Sequence, residues 1–178
     1  MKKLITLVFA AVMMTSFAAA QAGSTATGTL SVTATVTGSI SLVFNSDAGA
    51  GVPLSTGNGT FAASLAFGNV SAFGPLAANI TRTVAANNFT VSTPVDVFVS
   101  KFNSTSATYK LTAQLSTADA VNTWSVGGVA VSNAAAATVT ATGAYATNNA
   151  LAVAITVPFT TASGTNISNT INYTATSN

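Results

Sequence analysis

Alternation with a period of two residues is the feature that most limits what this chain can become. From Leu30 the even positions read Leu30, Val32, Ala34, Val36, Gly38, Ile40, Leu42 and Phe44. The odd positions read Ser31, Thr33, Thr35, Thr37, Ser39 and Ser41, with Val43 the one exception. Successive side chains of a strand point to opposite faces, so this run carries one apolar face and one hydroxyl face. Similar runs cover Phe61 to Phe67, Ile80 to Val84, Val95 to Val99, Tyr109 to Leu115, Leu151 to Phe159 and Ile167 to Ala175. Turn chemistry separates them: a Gly/Ser/Asp-rich stretch from Asn45 to Asn58, Gly74-Pro75, and Gly127-Gly128 as a two-residue hairpin signal. Ala134 to Ala137 is too short for a helix and runs into Thr138-Val139-Thr140, so it reads as a loop or strand entrance. The expectation is an all-β sandwich or barrel. Val32, Val36, Ile40, Leu42 and Phe44 are expected in its core, with Phe67, Val153 and Ile155.

Export is read from the first residues. Lys2 and Lys3 precede an apolar run from Leu4 to Met14, and Ala18, Ala20 and Ala22 offer small-residue cleavage points. Residues 1–22 are read as a secretory signal peptide and 23–178 as a single domain. The two-Lys start has a bacterial look, which gives a secreted, extracellular or cell-surface expectation. Of the 178 residues only five are Lys or Arg and three Asp or Glu, so the net charge of +2 belongs entirely to Lys2 and Lys3. Downstream, Arg82, Lys101 and Lys110 balance Asp47, Asp96 and Asp119. Three cations make no basic patch, so neither nucleic acid nor, after cleavage, a membrane is an expected partner.

The chemical inventory is small. With no His, Cys or Glu, the available bases are three Asp and two Lys beyond the signal. A Ser-Lys dyad at Lys101 or Lys110 and a pair among Asp47, Asp96 and Asp119 are the remaining catalytic options, and no flanking motif supports either. Asn45, Asp47 and Asn58 could offer oxygen to calcium but lack a regular ligand spacing and read as a turn-rich loop. Trp124 reads as a core or hairpin-packing residue, and an aromatic sugar platform would need it exposed together with Tyr145. The expectation is a non-enzyme without metal or other cofactor.

Leu65-Ala66-Phe67-Gly68-Asn69-Val70, followed by Pro75-Leu76, resembles a segment near the start of spore coat protein U-type domains, relatives of chaperone–usher pilins. Ala34-Thr35-Val36 to Ile40-Ser41-Leu42 and Ile171-Asn172-Tyr173-Thr174-Ala175 look like the first and last strands of that superfamily. The Cys residues common in pilin-type domains are missing. A weaker resemblance is to Cys-free, fibre-forming matrix proteins of the camelysin type. The resemblance implies an Ig-like, pilin-like antiparallel β-sandwich that lends an N-terminal strand to a neighbour. It also implies partners in other copies or other surface subunits, with a periplasmic chaperone for assembly.

The residues themselves raise the same question. Leu30 to Phe44 at about 3.4 Å per residue spans roughly 48 Å, well over twice an ordinary strand. Either Gly38 bends one strand so that it serves both sheets, or the first half projects into another subunit, with Leu30, Val32, Ala34 and Val36 as the inter-subunit face. Few charges offer little resistance to self-association. The sequence therefore reads as a structural subunit of a surface fibre, coat or biofilm matrix, with a monomeric glycan-binding module as the alternative.

Overall fold

The computed structural model describes residues 27–178, and among these every regular element is a strand. In chain order they are β1 (Ser39–Ser46), β2 (Thr81–Val84), β3 (Asn88–Phe102), β4 (Thr108–Leu115), β5 (Thr123–Val126), β6 (Val129–Val131), β7 (Ala137–Ala144), β8 (Asn148–Pro158) and β9 (Ile171–Ser177). A six-stranded sheet runs β1-β3-β8-β5-β6 with β2 also on β3, and a three-stranded sheet runs β7-β4-β9. All pairings are antiparallel. The chain divides into Met1–Ala34 and Thr35–Asn178, and the strands all belong to the second unit. The expected cleavage point after Ala22 lies outside the described residues.

The two sheets face each other across one core, which makes an all-β sandwich. Val91, Val97 and Val99 of β3, Tyr109 and Leu111 of β4 and Val126 of β5 are its most deeply buried members. The inward positions of β3 and β4 are the odd ones, as a strand with one wet face requires. Burial of such side chains, at about 25 cal/mol per Å² of apolar surface, is the main stabilising force in a chain without disulfides.

β3 organises the larger sheet. Its fifteen residues pair with β8 along one side from Asn88↔Pro158 to Phe98↔Asn148. The other side is shared, with β2 reaching Ser92 and β1 beginning at Val95. Pro94 sits in the gap between them. A proline lacks the N–H that a continuous ladder would need, so the break in pairing falls where the sequence can tolerate it. Thr93, buried beside it, accepts the Val52 N–H at 2.8 Å and ties the β1–β2 loop to the sheet.

Several expectations need correction. The long run from Leu30 is a strand only from Ser39, while residues 27–38 carry no regular pairing. Val32 and Val36 are therefore not core residues, being 80% and 73% exposed. Ile40, Leu42, Phe44 and Phe67 are half-buried, and Val153 and Ile155 are buried as expected. Phe61 to Phe67 is not a strand either: it makes only the bridge Thr56↔Ser64 between bends. The Gly127-Gly128 hairpin joins β5 to β6 with φ values of 57° and 79°, the left-handed geometry that a tight two-residue turn demands.

The strand registers define two poles. At the entry pole the chain reaches β1, where Ser39 pairs with Phe102 and Tyr109 with Ser177. Tyr145 joins the sheets there: it lies 5.4 Å from the Tyr109 ring and donates its hydroxyl proton to Ser177 Oγ at 3.2 Å, and the Lys101 ammonium sits 5.1 Å above its ring. At the far pole lie Asn88, Pro158, Thr123 and the chain leaving Leu115.

Candidate assembly surface

The residues expected to form an inter-subunit strand are all exposed. Leu30 is 84% exposed, Val32 and Val36 are close behind, and Ala34 is exposed with them. The alternating apolar face of residues 29–37 thus has no internal use among the described residues. Gly38, where the arm meets the sandwich, is constrained by space: an added Cβ would lie 2.9 Å from the Asn103 carbonyl oxygen.

A matching deficit exists in the smaller sheet. β4 is paired on both sides, but β9 pairs only with β4, and among the described residues no backbone bond reaches its outer edge. Ile171, Tyr173 and Ala175 face inward and are only half-buried, although they pack against the core. Across from them on β1, Leu42 and Phe44 are also half-buried, and Phe44 meets Tyr173 edge-on at 5.1 Å. The outer edge of β1 is partly occupied, since Phe44 N–H donates to Thr60 O at 2.8 Å and Phe44 O accepts from Gly59 N–H at 2.7 Å. Strand order leaves this asymmetry: the smaller sheet runs β7-β4-β9 and ends at β9, beyond which no strand pairs among the described residues.

The other candidates have local duties. Asp47 Oδ1 accepts the N–H groups of Gly49, Ala50 and Gly51 at 3.0, 2.7 and 3.2 Å, the Ala50 bond foremost in holding its pKa below the usual value. Asn58 Oδ1 accepts the Ser46 N–H at 2.7 Å, so the loop considered for calcium is knit by an Asx turn at Asp47 and by this longer-range bond across it. Asp96 is buried, and burial, then the Asp47 charge, raises its pKa against the bond it accepts from Asn148 Nδ2 at 2.9 Å. Lys101 donates to the Ser106 carbonyl, whereas Lys110 is exposed on β4. Among the described residues no three acidic, His or Cys side chains gather as metal ligands. Trp124 is buried at the far pole with its indole N–H on Asp119 at 2.8 Å, and Tyr145 stands at the entry pole, so the two share no platform.

The sequence pointed to the arm but not to the edge that could receive it, because an edge is a property of sheet order. In comparison with known proteins, the chain matches no family model, no curated protein and no solved structure.

Proposed function

We propose that this protein is a secreted structural subunit of a bacterial cell-surface fibre, coat or matrix, and that copies join when residues 29–37 of one add as a strand to the β9 edge of another. The observation that carries the reading is a pair of complementary deficits in one chain. An exposed arm with alternating apolar side chains coexists with an edge that is unpaired among the described residues and whose inward side chains are half-covered. Strand addition satisfies a row of backbone groups and covers apolar side chains on alternate positions, and it needs no charge. The resemblance to pilin-type domains supports the same reading, with the protein itself as its main partner and a periplasmic chaperone guarding the edge before assembly.

Full-length protein is expected to polymerise, with a melting temperature that rises with concentration, because each sandwich is completed by a neighbour. Val32→Asp and Val36→Asp together should abolish assembly without disturbing the fold, since both side chains are exposed. Adding the peptide Thr29 to Thr37 in trans should then raise the melting temperature of that variant. Full-length protein that stays monomeric at high micromolar concentration, with a concentration-independent transition, sinks the proposal.

Export has its own test. Intact mass of the exported protein is expected to correspond to a chain starting at Gly23. A species retaining Lys2 and Lys3 would replace the signal peptide by an anchor.

A further inference from the structure

The two poles of the sandwich carry unlike apolar surfaces. Phe73, 73% exposed, lies 6.4 Å from Phe159, which stacks at 6.3 Å on Phe89 of the core. Val84, opposite Phe89 in the β2–β3 register, and Val121 before β5 are exposed at the same far pole. The aromatic group is held in place before any partner arrives. Arg82 donates from Nη1 to Ser71 O at 2.8 Å and from Nη2 to Gly74 O at 2.9 Å, which clamps the loop bearing Phe73. A rigid, exposed aromatic cluster binds at a low ordering cost, the condition under which a few side chains dominate an interface. Apart from the arm, the exposed large apolar side chain at the entry pole among the described residues is Phe102, 58% exposed.

We infer that the Phe73/Phe159 cluster is the seat for the entry pole of a second copy, with Phe102 as the side chain it receives. The inference rests on the strand-addition reading and follows from chain direction. β9 runs from the far pole at Ile171 to the entry pole at Ser177. An antiparallel strand added to it runs the opposite way, so its last residue, Thr37, emerges at the far pole of the receiving copy. Gly38 and Ser39 follow at once and start β1 at the donor's own entry pole. The donor's entry pole is thereby set against the receiver's far pole. Parallel addition would instead set two entry poles together, bringing Lys101 and Lys110 of one copy toward the same lysines of the other. Unlike poles bring those lysines toward Asp119, which its donors keep ionised with a pKa of about 2. Contact between two different surfaces, repeated without closure, builds an open fibre rather than a dimer.

The chain has no Cys, so introduced thiols report directly on pole contact. In polymers of full-length protein carrying Phe73→Cys and Phe102→Cys together, oxidation or a short bismaleimide is expected to give a covalent ladder well beyond the dimer. Each single variant should stay almost entirely unlinked. Phe73→Ser is expected to raise the concentration needed for assembly about tenfold while leaving the melting temperature of dilute monomer unchanged. Cross-linked dimers from either single variant would mean that like poles meet, and would overturn the inference. So would polymers that never link in the double variant, or that assemble at wild-type concentration with Phe73→Ser. If those polymers are still abolished by Val32→Asp with Val36→Asp, the strand reading survives and only the pole contact falls. If no polymer forms at all, both fall together.

Discussion

Gly143→Ala is expected to cost about 3 kcal/mol of folding stability, a large share of what a domain of this size holds. The reason is space rather than backbone freedom, since Gly143 does not adopt a positive φ. It lies directly opposite Tyr109 in the β4–β7 register. The Tyr109 ring lies flat across it, and an added Cβ would clash with Cζ and come within 2.5 and 2.6 Å of the two Cε atoms. Tyr109 is fully buried and flanked by the Tyr145 ring, so a rigid aromatic has nowhere to retreat. Denaturant unfolding would read the loss as a lower midpoint at unchanged slope. The two residues should also be coupled. In a Tyr109→Leu background, already weakened by the lost ring, adding Gly143→Ala should cost under about 1 kcal/mol. Equal costs in both backgrounds would mean that the ring is not what excludes the methyl group. The Tyr109 hydroxyl is buried and makes no hydrogen bond of ordinary geometry among the described residues, so Tyr109→Phe should be neutral or slightly stabilising.

That contact also marks where the sequence stops being readable. The runs that became β4 and β8 were legible because both strands have one fully buried face, and burial imposes alternation. β1 was overextended from Ser39 back to Leu30 because alternation records which face is apolar, not which strand covers it. The first half of β3 was missed for the opposite reason: Asn88 to Pro94 has a proline and few large apolar residues, yet its pairing with β8 is continuous and the proline falls between β1 and β2. Phe61 to Phe67 alternates but follows Gly57 and Gly59 and precedes Gly68, all at positive φ, and the chain there bends rather than extends. Of the proposed interface, the arm was visible as a local pattern. The β9 edge and the Phe73/Phe159 cluster were not, since one depends on strand order and the other on residues 86 positions apart.

Asp119→Ala is expected to destabilise the far pole by about 2 kcal/mol, the order found when buried donors lose their acceptor. Five N–H···O contacts converge on this one carboxylate. Oδ1 accepts the Val121 N–H at 3.0 Å, the Asn122 N–H at 2.8 Å and Asn122 Nδ2 at 3.3 Å. Oδ2 accepts Asn122 Nδ2 at 3.0 Å and the Trp124 indole N–H at 2.8 Å. Trp124 is buried, so removing Asp119 leaves its N–H without a partner where water reaches poorly. Burial alone would raise the carboxyl pKa. The donors outweigh it, the Asn122 backbone first and the Trp124 indole next, and bring it down to about 2. A pKa depressed in the folded state means that the unfolded chain binds the proton more readily. The stabilisation is therefore complete above the unfolded value of 3.8 and is lost as the pH falls toward about 2. Asp47, also depressed, adds loss of the same sign, whereas Asp96, whose folded pKa is raised, gains on acidification. Wild-type protein should thus lose stability between about pH 4 and pH 2, and Asp119→Ala should start lower but fall less steeply across that window. Trp124 fluorescence during denaturant titrations at several pH values measures both effects in one experiment. Parallel acid limbs in the two proteins would show that the carboxylate does not hold the indole in the way its geometry requires.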